Sequence, residues 1–293
     1  VQLRFARKTF FVNTKNEDII LFKKPSNILL NETKIFLKRF QKTAKQWEFY
    51  TVNTWKTNSQ NWEENINQLF LIGRYFYRYY ISREYIWDHT KKSPFLKIFW
   101  EIKSKIEKYI VNKKLKFDIL KKWQKYVYFP LHLQPESTTM TLSPFYLNQI
   151  ATLEALSKSV NSDIVIVIKE HPHVVWYRWL DYYKEIRKFS NVKFIDTKLD
   201  TLDLIRWSEF VFTLTWTASL EAMMLWKPSI VVWNTYFSNH KLILNLQDVA
   251  ITKWHESIIN YLENYSYDEA SVVNFISKYI ASCSCFGLWK AYL

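Results

Sequence analysis

Glycine is almost missing from this chain: two residues in 293, where average usage would supply about 20. Tryptophan is in excess, at 14 residues. Cysteine is equally scarce, and its two copies, Cys283 and Cys285, stand in SCSC with no companion His or Cys pair. That pattern fits neither a zinc site nor a disulfide framework, and two reduced cytosolic thiols are the expectation. No apolar run approaches the roughly 18 residues of a membrane-spanning helix. The opening VQLRFARKTF has no Met and no charged segment leading into an apolar one, so no secretory signal is expected and the N-terminal half reads as cut short.

The remaining composition describes a globular chain. Hydrophobic residues make up 48%, enough for a sizeable core. The formal charge is +14, which suits phosphorylated ligands or an anionic inner leaflet as well as nucleic acid. Lys is spread along helix faces and no DNA- or RNA-binding motif occurs, so nucleic acid is not the expected partner.

Two textures divide the chain. Residues 1–122 are rich in Lys, Asn, Phe and Tyr and carry helical spacing in NETKIFLKRFQKTAKQ, NWEENINQLFLIGRYFYRYYI and PFLKIFWEIKSKIEKYIVNKK, without a chemical motif. Residues 123–293 begin with short apolar runs that alternate with amphipathic stretches. The apolar runs are YVYFPL (126–131), DIVIVI (163–168), NVKFI (191–195), EFVFTL (209–214) and SIVVW (229–233). Strands alternating with helices predict a parallel sheet covered on both faces, a Rossmann-like half. Two closing helices are expected after Asn234. The fold class is therefore α/β, with a helix-rich N-terminal region that would be a partial acceptor-side domain.

Ligands of open parallel sheets bind beyond the carboxyl ends of the strands. Those ends are followed here by HLQPES, KEHPH, TWTAS and WNTYFSN. In KEHPH, His171 would sit at a strand tip with Pro172 restricting its backbone, and its ring could donate to a phosphate. Lys169 and Glu170 beside it are expected to be solvated. Thr215, Thr217 and Ser219 would begin a helix, whose free N–H groups favour an anion, although they could equally serve as caps. Glu221, one turn on, could accept from ribose hydroxyls. Glu136 is the candidate general base toward a sugar hydroxyl, and Gln134 either binds the substrate or orients the loop. No DxD pair occurs in this region, so no metal and no cofactor are expected beyond a nucleotide-sugar donor as substrate.

The segments VYFPLHLQPESTT, PFYLNQIATLEALSKS, VIKEHP, NVKFID and DLIRWSEFVFTLTWTASLEAMMLWKPSIVVWNTYFS resemble the bacterial capsule polysaccharide biosynthesis family, related to Kdo-type sugar transferases of GT-B fold. The likeness covers about residues 124–240. It implies a glycosyltransferase moving a sugar such as Kdo from a CMP-linked donor to a glycan or glycolipid at the inner face of the cytoplasmic membrane. By position, His171–Pro172 and Thr215, Thr217 and Ser219 would hold the nucleotide, Glu221 its ribose, and Gln134, Pro135 and Glu136 would lie near the reacting sugar. Related folds leave a polyol-phosphate transferase or a sugar-nucleotide epimerase as alternatives. A non-catalytic basic module for glycan or nucleic acid is a third.

Tryptophan departs from the family pattern in an ordered way. Trp216, Trp226 and Trp233 stand where similar proteins turn on glycine, and Trp176 is a fourth such place. Glycine serves such turns by allowing positive φ or close backbone approach. A gene that reads UGA as glycine, translated with UGA as tryptophan, would produce this pattern, and the Lys, Asn, Ile, Phe and Tyr bias suits an AT-rich genome. Trp123, Trp179, Trp207, Trp254 and Trp289 would be further candidates.

Overall fold

The structure is a computed structural model that describes residues 2–5, 8–11, 14–15, 18–19, 25–43, 70–85, 88, 93–132, 134, 140, 143–170, 178, 180–214, 217–233, 235 and 237–282. Two compact units emerge. One comprises Val1–Trp47, Phe117–Val174 and Asp181–Leu293, the other Glu48–Lys116 and Val175–Leu180.

The first unit opens with two short antiparallel pairs, β1 (Gln2–Phe5) with β2 (Lys8–Phe11) and β3 (Thr14–Lys15) with β4 (Asp18–Ile19). Helix α1 (Asn27–Thr43) follows. The second unit contains a helix over 70–76, here α2, which runs into a π-helical turn at Tyr77–Ile81, and α3 (Pro94–Lys114). Ser93 caps α3 by accepting from the Leu96 N–H, with Pro94 at its first position, where a missing N–H costs nothing. Among the described residues, no helix is long and apolar enough to cross a membrane.

The sheet of the first unit has six parallel strands: β5 (Tyr126–Pro130), β6 (Val165–Lys169), β7 (Val192–Ile195), β8 (Phe210–Thr213), β9 (Ser229–Val231) and β10 (Ile243–Asn245). Their spatial order is β10-β9-β8-β5-β6-β7. Counted from β5 this is the doubly wound order 3-2-1-4-5-6 of the Rossmann fold. Continuous Val, Ile, Phe and Tyr runs suit strands covered on both faces, and every residue of β5, β8 and β9 is buried.

The crossover helices are α4 (Gln149–Ser159), α5 (Leu180–Ile186), α6 (Thr201–Trp207) and α7 (Ala218–Met224), and α8 (Trp254–Glu263) and α9 (Glu269–Ser282) close the chain as expected. Asn148 caps α4 through Ile150 N and Ala151 N. Asp200 caps α6 through Leu202 N and Asp203 N. Each carboxylate or amide oxygen satisfies donors that the first turn leaves without a partner.

The units cut the chain differently from a boundary at 122/123. Thr33, Leu37, Phe40 and Gln41 form the buried side of α1, and Leu37 and Phe40 join the sheet unit's core with Ala222, Met223, Val272 and Ile276. The Gln41 amide donates to the Met224 carbonyl at the end of α7 (3.0 Å), and Arg206 donates to the Gln41 carbonyl (2.9 Å). An amphipathic helix goes where its apolar stripe is covered, and for α1 that place is against α7 and α9.

Candidate functional site

In a doubly wound sheet the crevice opens where the strand order reverses. Here that point lies between β5 and β8, which pair through Val127 with Phe210 and Tyr128 with Val211. The first residues beyond β5 are Leu131 and His132, both buried. The Leu214 N–H donates to His132 Nε2 (3.2 Å), and the Thr213 hydroxyl lies 2.9 Å from the same atom. A ring nitrogen that accepts a backbone N–H carries no proton, so His132 is neutral with its hydrogen on Nδ1 and Thr213 donates to it as well. The imidazole thus joins the ends of the two strands that flank the switch point.

Gln149, at the start of α4, holds the same residue by its backbone. The His132 N–H donates to Gln149 Oε1 (2.8 Å) and Gln149 Nε2 donates to the His132 carbonyl (3.0 Å). Both residues are buried, and these bonds satisfy two backbone groups that would otherwise be costly. Gln134 donates to the Leu147 carbonyl (2.6 Å) and so ties the segment after β5 to the approach of α4.

Lys169 and Glu170 are buried, not solvated. Lys169 donates to the Leu199 carbonyl and to Thr201 Oγ1 (2.9 Å), at the start of the helix capped by Asp200. Burial pulls its ammonium down to about 8, opposed by the nearby Asp200, Asp196 and Glu221 carboxylates. Glu170 accepts from Tyr183 Oη (3.1 Å). The reason they turn inward is that partners from α6 and α5 receive them; a buried charge needs such partners.

Thr217 precedes α7 and makes no side-chain capping bond. Ser219 is fully buried. Glu221 lies in the first turn with its own N–H donating to the Thr217 carbonyl (2.9 Å). By area Glu221 is only partly buried, yet its carboxyl is enveloped closely enough that desolvation pushes it up to about 7, with Asp200 adding to the rise and Lys169 opposing it. Lys169, Asp200 and Glu221 therefore form one coupled group of charges between β6, α6 and α7. Glu136, His171, Pro172 and Thr215 lie outside the described residues, as does Pro135.

An aromatic group stands near the same strand ends. Trp233, just after β9, lies 5.8 Å from Phe145 and 6.4 Å from Tyr146, ring centre to ring centre. Tyr146 in turn stacks on Trp254 at 6.2 Å.

Residues 27–260 match the family described as capsule polysaccharide biosynthesis protein. The chain belongs to that family. This capsule-family chain is also similar to solved structures. The KpsC β-Kdo 2,7-transferase of Thermosulfurimonas dismutans aligns at 16% identity and a TM-score of 0.39, over 66% of this chain and 56% of that one. A β-Kdo 2,4-transferase of KpsC from the same organism aligns at 14% and 0.38, over 59% and 53%. The UDP-GlcNAc 2-epimerase of Methanocaldococcus jannaschii aligns at 14% and 0.38, over 60% and 48%. The chain thus spans about half the length of these structures, and at such scores the family assignment rests on the family match alone. No curated protein matches.

Proposed function

We propose that this capsule-family chain is the nucleotide-sugar-binding half of a GT-B glycosyltransferase. It would move a sugar such as Kdo from a CMP-linked donor to a growing surface glycan or glycolipid at the inner face of the cytoplasmic membrane. The observation that carries the reading is the switch point between β5 and β8, where the crevice principle places a ligand. Gln134 follows one of these strands and Thr217, Ser219 and Glu221 the other. His132 and Gln149 tie the ends of β5 and β8 and the start of α4 together by hydrogen bonds, and strand ends fixed before binding lower the ordering cost of a ligand there.

In this reading His171, with Pro172 fixing its backbone, donates to the donor phosphate, and the segment from Thr215 to Ser219 supplies further donors. Glu221 accepts from the ribose hydroxyls. Glu136 takes the proton of the acceptor hydroxyl as that oxygen bonds to the anomeric carbon, and the bond from that carbon to the nucleotide's phosphate oxygen breaks to release CMP.

Two tryptophans support glycine as the residue made in the cell. Trp226 (φ 63°) and Trp123 (φ 65°) both occupy the left-handed region, which costs side-chain-bearing residues about 1–2 kcal/mol. Trp226 lies just past α7, whose end is closed by Lys227 N donating to the Ala222 carbonyl (2.9 Å); that is the position of a Schellman motif that glycine usually fills. Trp123 is third in a tight turn closed by Gln124 N and the Lys121 carbonyl (3.2 Å), again a glycine position. Trp176, Trp179, Trp216 and Trp289 lie outside the described residues.

The test is thermal unfolding of the full chain with CMP, UDP or CDP-glycerol. A ligand that binds only the folded state at 100 times its dissociation constant adds about 2.7 kcal/mol, a rise of several degrees. CMP alone should give it. A rise with CDP-glycerol alone would favour polyol-phosphate transfer, and one with UDP alone an epimerase. No rise with any of them, together with steeply salt-dependent DNA binding, would overturn the enzyme reading.

A further inference from the structure

The second unit carries a disproportionate share of the charge. Residues 70–116 hold 12 Lys and Arg against four Asp and Glu, more than half of the chain's net +14. The same stretch exposes apolar side chains to an unusual degree. Along α3, Phe95, Phe99, Ile102, Ile106, Tyr109 and Ile110 fall on one side of a helical wheel. Their exposures run from 39% to 67%. Nearby, Trp100 is also about half exposed and lies under the Lys103 ammonium at 4.7 Å.

Such a face is not the ordinary scatter of single apolar residues on a surface. Six large side chains in a continuous stripe form a patch of the kind that marks an interaction site. Among the described residues, the start of α3 is braced by Phe76 edge-on to Phe95 at 5.6 Å and by Lys97 over the Tyr75 ring at 4.7 Å, and near its other end Val111 is buried on the side opposite the stripe. Beside that brace, Arg74, Arg78 and Lys97 line a groove of about 450 Å³ together with Tyr75 and Tyr85. Arg78 donates to Tyr85 Oη (2.8 Å) and pairs with the Glu84 carboxylate (3.5 Å), while Lys97 rests on the Tyr75 ring, so of the three cations Lys97 and Arg74 are the ones offered to a headgroup phosphate.

We propose that α3 is an interfacial helix that seats the chain on an anionic lipid bilayer. Its apolar stripe lies in the boundary between headgroups and acyl chains, and the cationic groove meets headgroup phosphates. At 21 residues the helix is about 31 Å long, and its lysines keep it in the membrane plane rather than across it. Basic residues beside an inserted stripe add attraction to anionic lipid that salt screens. The charge excess favours this occupant over a second copy of the chain, because two such faces would repel one another. The inference does not depend on the transferase reading, since it concerns binding to lipid and not chemistry.

The experiment is sedimentation of the full chain with phosphatidylcholine vesicles, with and without phosphatidylserine, at low and high salt. Binding is expected only with phosphatidylserine and should weaken as salt rises. The double substitution Phe99→Asp with Ile106→Asp should lower the partition by about tenfold or more, equivalent to about 1.4 kcal/mol. Both positions are more than half exposed, and an unchanged circular dichroism spectrum verifies that the variant folds. Lys97→Gln with Arg74→Gln should flatten the salt dependence. Failure of the native chain to bind phosphatidylserine vesicles would overturn the proposal, as would equal binding by the Asp variant. A concentration-dependent dimer abolished by the same Asp substitutions, without vesicle binding, would assign the face to a second copy instead.

Discussion

Replacing Trp226 by glycine and by alanine separates backbone strain from side-chain packing at one position. Both variants lose the indole, which is 49% exposed and lies edge-on to Tyr267 at 6.4 Å. Whatever that contact is worth cancels between them. What remains is the φ of 63°, which costs alanine about 1–2 kcal/mol. Against this stands glycine's greater freedom in the unfolded chain, about 0.4–1 kcal/mol. The balance leaves Trp226→Gly more stable than Trp226→Ala by about 1 kcal/mol, or about 2 °C in unfolding temperature for a chain of this size. In the middle of a helix the order would be reversed. Trp254 supplies the contrast. It is fully buried, its Nε1–H donates to the Val249 carbonyl (3.2 Å) and its ring lies 5.7 Å from Phe212, so Trp254→Gly should cost about 3–5 kcal/mol. Urea unfolding of the three variants, followed by circular dichroism, reads all of these differences. The coding DNA gives the parallel expectation: UGA at 123 and 226 but UGG at 254, whose buried, hydrogen-bonded indole removes it from the glycine candidates that the sequence suggested. An alanine variant as stable as the glycine one would refute the strain, and UGG at 123 and 226 would end the recoding idea.

Two further perturbations address the Gln149–His132 bonds and the nearby charges. Gln149→Leu strips both bonds from the His132 backbone, and leaving two buried groups unpaired should cost about 2–4 kcal/mol, measured as a lower urea midpoint without a change in slope. Glu221→Gln should gain on the native chain as pH rises from 4.5 to about 7. The sign follows from the folded carboxyl holding its proton across that window while the unfolded one has released it, so native stability falls as pH rises through it. A difference between the two proteins that stays flat over that range would refute the raised carboxyl.

Local chemistry made most elements legible. The runs around Val127, Ile166 and Val211 are too apolar for anything but covered strands. Strand β10 is hard to read because it is only three residues long, Ile243–Asn245, and the short apolar run Leu242–Leu244 shows no alternation that separates a strand from a loop or a helix start. The order of the sheet was also out of reach, since it depends on which strand each crossover returns to. At the site, nothing local in HLQPES distinguishes His132, whose importance comes from Thr213 and Leu214 some eighty positions away. Lys169 and Glu170 were expected outside because charged residues usually stay there. Their burial depends on Thr201, Leu199 and Tyr183, which no local window contains. The apolar stripe of α3 was visible as helical spacing, but only the structure distinguishes a covered stripe from an open one.

Helix α1 poses a problem of timing. Its Gln41 meets the Met224 carbonyl across 183 positions, and its apolar side packs on α9, later still. A ribosome adding about 5–20 residues per second leaves α1 waiting on the order of ten to forty seconds before its seat exists. For that interval Leu37 and Phe40 lack the seat they have in the folded chain, so a helix made early is among the last to be placed, and the nascent chain passes through this part of its synthesis with that sticky segment exposed.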